Sequence, residues 1–154
     1  MQNISNYYAP TIRTQGAFYS SMGNARVSFI DTRDIGAFVA KLFTSPAHQG
    51  KTYELNGPEA LTYSRVADQI SQVTGTPARY VDIPLAQQRQ AMLDQGMPAW
   101  QVDALLDLQR YYKEGRGGEV DSVFADVAER QPTRLTQFLK EFASAFAKPL
   151  APTA

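Results

Sequence analysis

Residues 26–41 of the chain read RVSFIDTRDIGAFVAK, and this stretch decides the fold class. Apolar and polar side chains alternate over residues 26–30, which is the period of a β-strand with one buried face. The period then changes, because Ile35 begins an apolar series at i, i+3, i+4 and i+7 that is typical of an amphipathic helix. We therefore predict a strand over residues 26–30, a helix over residues 32–43, and an α/β fold.

Two carboxylates, Asp31 and Asp34, lie one helical turn apart at the junction between this strand and this helix. A carboxylate at the start of a helix accepts hydrogen bonds from free backbone N–H groups and is favoured by the positive end of the helix dipole. The same pair of residue types can also bind a cation or act as general acid and base. We favour the structural role.

Strands and helices alternate on either side of this stretch. On the amino-terminal side we predict a helix over residues 1–13 and a hairpin or near-hairpin formed by strands 17–22 and 26–30 around Gly23-Asn24. On the other side we predict short strands and helices up to Pro84 and only helices beyond it. The predicted elements are a strand over 51–55, a helix from Thr62 or Ser64 to Gly75, a strand over 78–83, helices over 85–95 and 98–113, and a last helix that begins after Thr133.

The length of 154 residues fits one domain, which we place at residues 1–147 with a flexible tail at 148–154. The chain has 15 basic and 15 acidic side chains, no cysteine and one histidine, His48. These counts argue against a disulfide framework, a thiolate nucleophile, a zinc site and a nucleic-acid partner. Apolar runs are short, so we expect no membrane span and a cytoplasmic protein.

Several catalytic patterns are missing from the sequence. No glycine-rich turn joins a strand to a helix, and no Gly-Lys-Ser/Thr sequence occurs. No tyrosine has a lysine four residues later, and His48 lies in a polar loop. The glycine-rich segment 115–118 has no preceding strand, so we interpret it as a surface loop. The sequence therefore predicts no catalytic residues and no metal site.

Four aromatic rings lie within the first nineteen residues, at Tyr7, Tyr8, Phe18 and Tyr19. Rings at this density line the pocket of a flat ligand or pack in a core or an interface. The sequence leaves both interpretations open.

Five segments together resemble a known family. They are residues 26–41, 50–59 (GKTYELNGPE), 61–67 (LTYSRVA), 79–84 (RYVDIP) and 132–138 (PTRLTQF). Their order is similar to the carboxy-terminal half of NmrA-like proteins. These are atypical short-chain dehydrogenases, a group that includes NAD(P)H:quinone oxidoreductases and triphenylmethane reductases.

The resemblance implies a partial Rossmann-type sheet with a helical substrate-side lobe, in which residues 51–55 are a remaining parallel strand. It implies NAD(P) as the cofactor of the full-length family, although this chain alone is expected to bind none. It also nominates Asn6, Tyr7, Tyr8 and Phe18 as residues of the substrate cleft.

Two functions are compatible with these observations. The first is the substrate-binding lobe of an NAD(P)-dependent oxidoreductase, which acts on quinone-like or flat aromatic compounds only with a nucleotide-binding half. The second is a non-catalytic ligand-binding or regulatory module that resembles a redox sensor. We also expect a homodimer, with Ile4, Tyr7, Tyr8 and a sheet edge near Tyr53 as its exposed contact surface.

Overall fold

The fold is taken from a computed structural model that describes residues 1–147. Short strands and helices alternate up to residue 82, and only helices follow in the described residues, as predicted. The strands are β1 (Ala17–Ser20), β2 (Arg26–Ser28), β3 (Ala60–Thr62) and β4 (Arg79–Asp82). The helices are α1 (Ala9–Gln15), α2 (Thr32–Thr44), α3 (Tyr63–Thr74), α4 (Leu85–Asp94), α5 (Ala99–Tyr111), α6 (Val123–Ala128) and α7 (Leu135–Glu141).

The four strands form two separate two-stranded sheets. Strand β1 pairs with β4 in parallel, and β2 pairs with β3 in antiparallel orientation. The predicted hairpin between β1 and β2 is therefore wrong. The turn at Gly23-Asn24 is present. However, side chains of α4, α5 and β4 form hydrogen bonds with Ser21 and Met22, which follow β1. Strands β1 and β2 therefore pair with different strands.

Helix α2 confirms the prediction for residues 32–43 to within one residue at its end. The Asp31 side chain accepts from the backbone N–H of Arg33 at 2.8 Å, which is the predicted cap. Asp34 has a structural role of a different kind, because it accepts from the backbone N–H and the hydroxyl of Thr133 and from Arg130. It therefore ties α2 to the segment before α7, while Asp31 caps the helix.

Residues 51–55 form no paired strand in the described part of the chain. The predicted strand is therefore wrong in this structure, and the parallel pair is β1 with β4. Tyr53 and Leu55 pack against the buried rings of Phe38 and Phe124, which explains the alternating pattern. The pattern indicates which side chains contact the apolar cluster, and it carries no information about a pairing partner.

Other boundaries differ from the predictions by short segments. The first predicted helix is a π-helical turn over Ile4–Tyr8 followed by α1, whose first turn holds Pro10. Helix α5 ends at Tyr111 and continues as a π-helical turn over Tyr112–Arg116. The last helix is divided into α7 and a 3₁₀ turn over Ala143–Ala145, and α6 was not predicted. The tail predicted at 148–154 lies outside the described residues.

Two clusters of buried apolar side chains hold these elements together. The larger cluster joins α1, β1, α3 and α7, and the smaller one joins α2 and α6. Ile4 belongs to the larger cluster and is 1% exposed. The prediction that Ile4 lies on an exposed dimer surface is therefore wrong. Within residues 1–147 no helix has the length and apolar character needed to span a membrane.

We expect the Asp31 cap to make stability depend on pH. Burial acts to raise the pKa of Asp31, but hydrogen bonds from Arg33 and Gln2 outweigh it and lower the pKa from 3.8 to about 2. A lowered carboxylate pKa stabilises the fold above pH 4, and this contribution disappears as the pH falls towards 2. Urea denaturation at several pH values measures the effect.

The free energy of unfolding of the wild type should exceed that of Asp31→Asn by about 2 kcal/mol above pH 4. The difference should shrink towards pH 2. Asp68→Asn, on the exposed face of α3, controls for the loss of one negative charge. A difference between wild type and Asp31→Asn that is the same at pH 2 and pH 6 would contradict the assignment.

Candidate functional site

An aromatic cluster lies between β1, α3 and β4. It consists of Tyr8, Phe18, Phe29, Tyr63 and Tyr80. The ring centroids of Phe18 lie 4.7 Å from Tyr8, 6.1 Å from Tyr63 and 5.6 Å from Tyr80. Contacts at these distances are those of packed aromatic rings, so the cluster is part of the core.

The tyrosine hydroxyls of this cluster are neutral at physiological pH. Burial raises the pKa of Tyr63 well above 10, and the neighbouring Tyr8 raises it further. Burial also raises the pKa of Tyr8, against the effect of its hydrogen bond with Tyr63. For Tyr80, burial and the carboxylate of Asp82 act in the same direction. These hydroxyls therefore donate or accept hydrogen bonds and are poor candidates for a basic tyrosinate.

A cleft of about 580 Å³ opens beside this cluster. One wall is the segment from Met22 to Arg26, which joins β1 to β2, and the other is the segment from Tyr112 to Glu119, which follows α5. The volume falls within the range of small-molecule sites, about 300–1,000 Å³. The Tyr80 hydroxyl bonds to the backbone N–H of Met22, so the aromatic cluster directly supports the first wall.

Side chains from three elements hold the first wall in place. The buried amide of Gln88 on α4 accepts from the N–H of Ser21 at 2.7 Å, and Asp82 accepts from the N–H of Gly23 at 2.8 Å. The hydroxyl of Ser21 donates to Gln109 on α5 at 2.6 Å. The Tyr80 hydroxyl accepts from the N–H of Met22, so the three successive backbone N–H groups of residues 21–23 all have side-chain acceptors. The wall is therefore fixed before any ligand arrives.

The second wall is anchored to β2. The backbone N–H of Ser28 donates to the carbonyl of Gly117 at 2.8 Å. The Tyr112 ring lies against Gly117 so closely that a Cβ there would be 2.4 Å from a ring carbon. Gly118 lies against Arg26 in a similar way, because a Cβ added at Gly118 would be 3.3 Å from the Cβ of Arg26. Glycine at these two positions lets the second wall lie flat on its neighbours.

The four nominated cleft residues lie apart from these two walls. Phe18 is fully buried, Tyr8 is half-buried, and Asn6 and Tyr7 are exposed on the π-helical turn at the amino-terminal end. Tyr8 and Phe18 are neighbours in the aromatic cluster, and none of the four lines the cleft. Sequence reasoning missed both walls, although the glycines of segment 115–118 were noticed.

We expect Gln88→Met to lower the free energy of unfolding by about 1–3 kcal/mol. Methionine has a similar size but cannot accept the hydrogen bond, so the buried N–H of Ser21 loses its partner. Urea denaturation followed by circular dichroism measures the loss. The matched control is Gln90→Met on the same helix, whose amide bonds only the exposed Asp94. Equal losses in the two variants would show that the Gln88 bond does not matter.

The fold and the site together define a mixed α/β lobe with an open, partly aromatic cleft. Comparison with known proteins places this lobe in a family. The model of the NmrA-like family matches residues 3–140. The chain therefore belongs to the NmrA-like family, as its motifs predicted.

Relatives with curated descriptions are about twice as long as this chain. An NAD(P)H azoreductase of Xenophilus azovorans is 39% identical over 147 residues, which are 95% of this chain and 51% of the relative. The chain likewise spans about half the length of the other first relatives that it matches.

Solved structures show the same fold at low sequence identity. An NADPH-dependent quinone oxidoreductase from Escherichia coli superposes with a TM-score of 0.82 at 21% identity, over 91% of this chain and 51% of that one. A Citrobacter triphenylmethane reductase complexed with NADP(H) gives 0.76 at 17% identity, over 86% and 46%. These matches confirm the α/β fold.

Proposed function

We propose that this chain is the carboxy-terminal, substrate-side lobe of an NAD(P)H-dependent reductase of quinone-like or flat aromatic compounds. The observation that carries the proposal is the similarity along 95% of the chain to half of an NAD(P)H azoreductase. The names of the superposed structures, a quinone oxidoreductase and a triphenylmethane reductase, support the substrate class.

The cleft supports the proposal because its walls suit a flat ligand. Tyr112 offers a half-buried aromatic ring, and Ala25 offers a small apolar surface opposite. Preformed walls reduce the ordering cost of binding. Asn6, Tyr7, Tyr8 and Phe18 stay within the proposal as a second ligand surface, in which exposed Tyr7 makes the contact and Phe18 supports Tyr8 from behind.

We propose that binding of the NAD(P) dinucleotide needs residues that are not among these 154. Binding of a pyrophosphate on a Rossmann-type fold uses a glycine-rich turn between a strand and a helix. The 154 residues contain no such turn. No step of hydride transfer is therefore assigned to residues of this chain.

Titration of the purified chain with NADPH and NADH tests this proposal, with cofactor fluorescence as the signal. We expect no saturable binding at micromolar cofactor. In a parallel thermal-shift experiment, menadione should raise the melting temperature, because a flat quinone fits the cleft. Saturable micromolar binding of NADPH would show that the chain holds its own cofactor site, and no stabilisation by menadione would argue against the substrate cleft.

The second candidate is a non-catalytic ligand-binding or regulatory module. Its support is that burial raises the pKa of Tyr63 and Tyr80, so neither neighbouring tyrosine is a candidate for a tyrosinate base. The experiment that separates the two candidates adds a nucleotide-binding half of a relative. Reduction of menadione by the mixture favours the lobe, and binding without reduction favours the module.

A homodimer remains part of the proposal. Its support is apolar surface on exposed side chains, of which Tyr7 is 57% exposed and Phe43 is 87% exposed. Light scattering should give about twice the chain mass of 17.1 kDa. A single species at the chain mass would refute the dimer.

A further inference from the structure

Two basic side chains line the cleft, Arg26 on the first wall and Lys113 on the second. Eight of the fourteen Lys and Arg side chains of residues 1–147 lie within 4.0 Å of a carboxylate, and Arg26 and Lys113 are among the six that do not. A cleft with two such cations presents positive charge to a ligand.

Arg26 is held in position on β2. One guanidinium nitrogen donates to the backbone carbonyl of Ala60 on the paired strand at 2.8 Å, and Gly118 packs against its Cβ. The remaining guanidinium donors are free to bind a planar acidic group. Lys113 follows Tyr112 on the π-helical turn, so an ammonium group and an aromatic ring are carried on the same wall.

Two carboxylates lie close to these cations. Glu119 lines the cleft and is exposed, and Asp82 lies near enough to Lys113 for the lysine to help lower the pKa of this carboxyl. The Asp82 carboxylate already accepts two hydrogen bonds, one from the N–H of Gly23 and one from the hydroxyl of Tyr80. The lining itself therefore carries two cations and one anion.

We propose that the cleft selects flat aromatic ligands that carry an acidic substituent, a carboxylate or a sulfonate. The ring lies against Tyr112 and Ala25, and the acidic group binds Arg26 and Lys113. This inference rests on the proposed function, because it narrows the substrate class of the same site. An acidic group gains charge-assisted hydrogen bonds there that a neutral ligand of the same shape does not.

The test compares anthraquinone-2-sulfonate with anthraquinone-2-sulfonamide, which share a ring system and differ in charge. Calorimetric titration of the full chain at low salt should show about tenfold tighter binding of the sulfonate. Lys113→Gln and Arg26→Gln should each weaken sulfonate binding about three- to tenfold and should weaken sulfonamide binding by a clearly smaller factor. Lys51→Gln, an exposed cation outside the cleft, is the matched control and should change neither.

The outcomes separate this inference from the proposed function. Equal binding of the two probes overturns the charge selectivity and leaves the quinone-binding lobe standing. Tighter sulfonate binding that is insensitive to both cleft variants places the anion elsewhere and also overturns the inference. Failure of both probes to bind overturns the inference together with the proposed substrate cleft.

Discussion

Replacing Gly57 with alanine is expected to lower the free energy of unfolding by about 3 kcal/mol. A Cβ at this position would lie 1.9 Å from the carbonyl oxygen of Phe29 and 2.4 Å from its carbonyl carbon. Both are backbone atoms, which cannot rotate away as the end of a side chain can. The backbone beside Phe29 is also anchored, because the N–H of Ser28 donates to Gly117 on the second wall of the cleft.

Urea denaturation of Gly57→Ala and Gly36→Ala measures this effect against a matched control. Gly36 lies inside α2, and a Cβ there meets no atom within 4 Å. Gly36→Ala should therefore raise the free energy of unfolding by up to about 1 kcal/mol, since alanine is the better helix former. Recovery of Gly57→Ala only as insoluble protein, beside soluble Gly36→Ala, also meets the expectation. Similar stabilities of the two variants would contradict the close packing at Gly57.

Replacing Phe18 with alanine should cost about 3–5 kcal/mol, because the side chain is fully buried and the cavity cannot collapse completely. Its ring contacts Tyr8, Tyr63 and Tyr80, so the aromatic cluster loses its central member. The same denaturation experiment measures the loss.

Phe43→Ala is the matched control for Phe18→Ala, because Phe43 is 87% exposed. This control should stay within about 0.5 kcal/mol of the wild type. A loss below about 1 kcal/mol for Phe18→Ala would be too small for a buried core ring. Such a small loss would show that Phe18 is not packed in the core and would favour a ligand-facing position.

Local patterns in the sequence were sufficient for much of the secondary structure. The apolar period of residues 32–43 and the carboxylate of Asp31 predicted α2 and its cap. Thr62 caps α3 by accepting from the N–H of Arg65, and Gly75 ends that helix with a φ of +69°. Each of these signals lies within one or two helical turns of the feature that it predicts, so a single stretch of sequence contains it.

Pairing between distant segments was not predictable in this way. Strand β1 pairs with β4, about 60 residues further along the chain, although the turn at Gly23-Asn24 favours the nearer β2. The contacts that decide this outcome come from Gln88, Tyr80 and Asp82, which bind the backbone after β1. Nothing in the local sequence marks a glutamine on one helix as the partner of a distant backbone N–H.

The cleft was missed for the same reason. Segment 115–118 was interpreted as a surface loop, because its glycines have neither the spacing nor the flanking strand of a phosphate site. The structure anchors this segment to Ser28 and stacks Tyr112 on Gly117, which makes it a wall. Tyr8 and Phe18 stand out in the sequence as aromatic residues near the amino-terminal end, and in the structure their ring centroids lie 4.7 Å apart, outside the lining of this cleft.

Nuclear magnetic resonance of the ¹⁵N-labelled chain tests the central claim most directly, with menadione and NADPH added in separate titrations. We expect menadione to shift the amide signals of residues 22–26 and 112–119, which form the two walls. We expect NADPH at the same concentrations to produce no saturable shifts. Saturable shifts with NADPH, or menadione shifts that leave both walls unchanged, would contradict a substrate-side lobe that binds its ligand in this cleft.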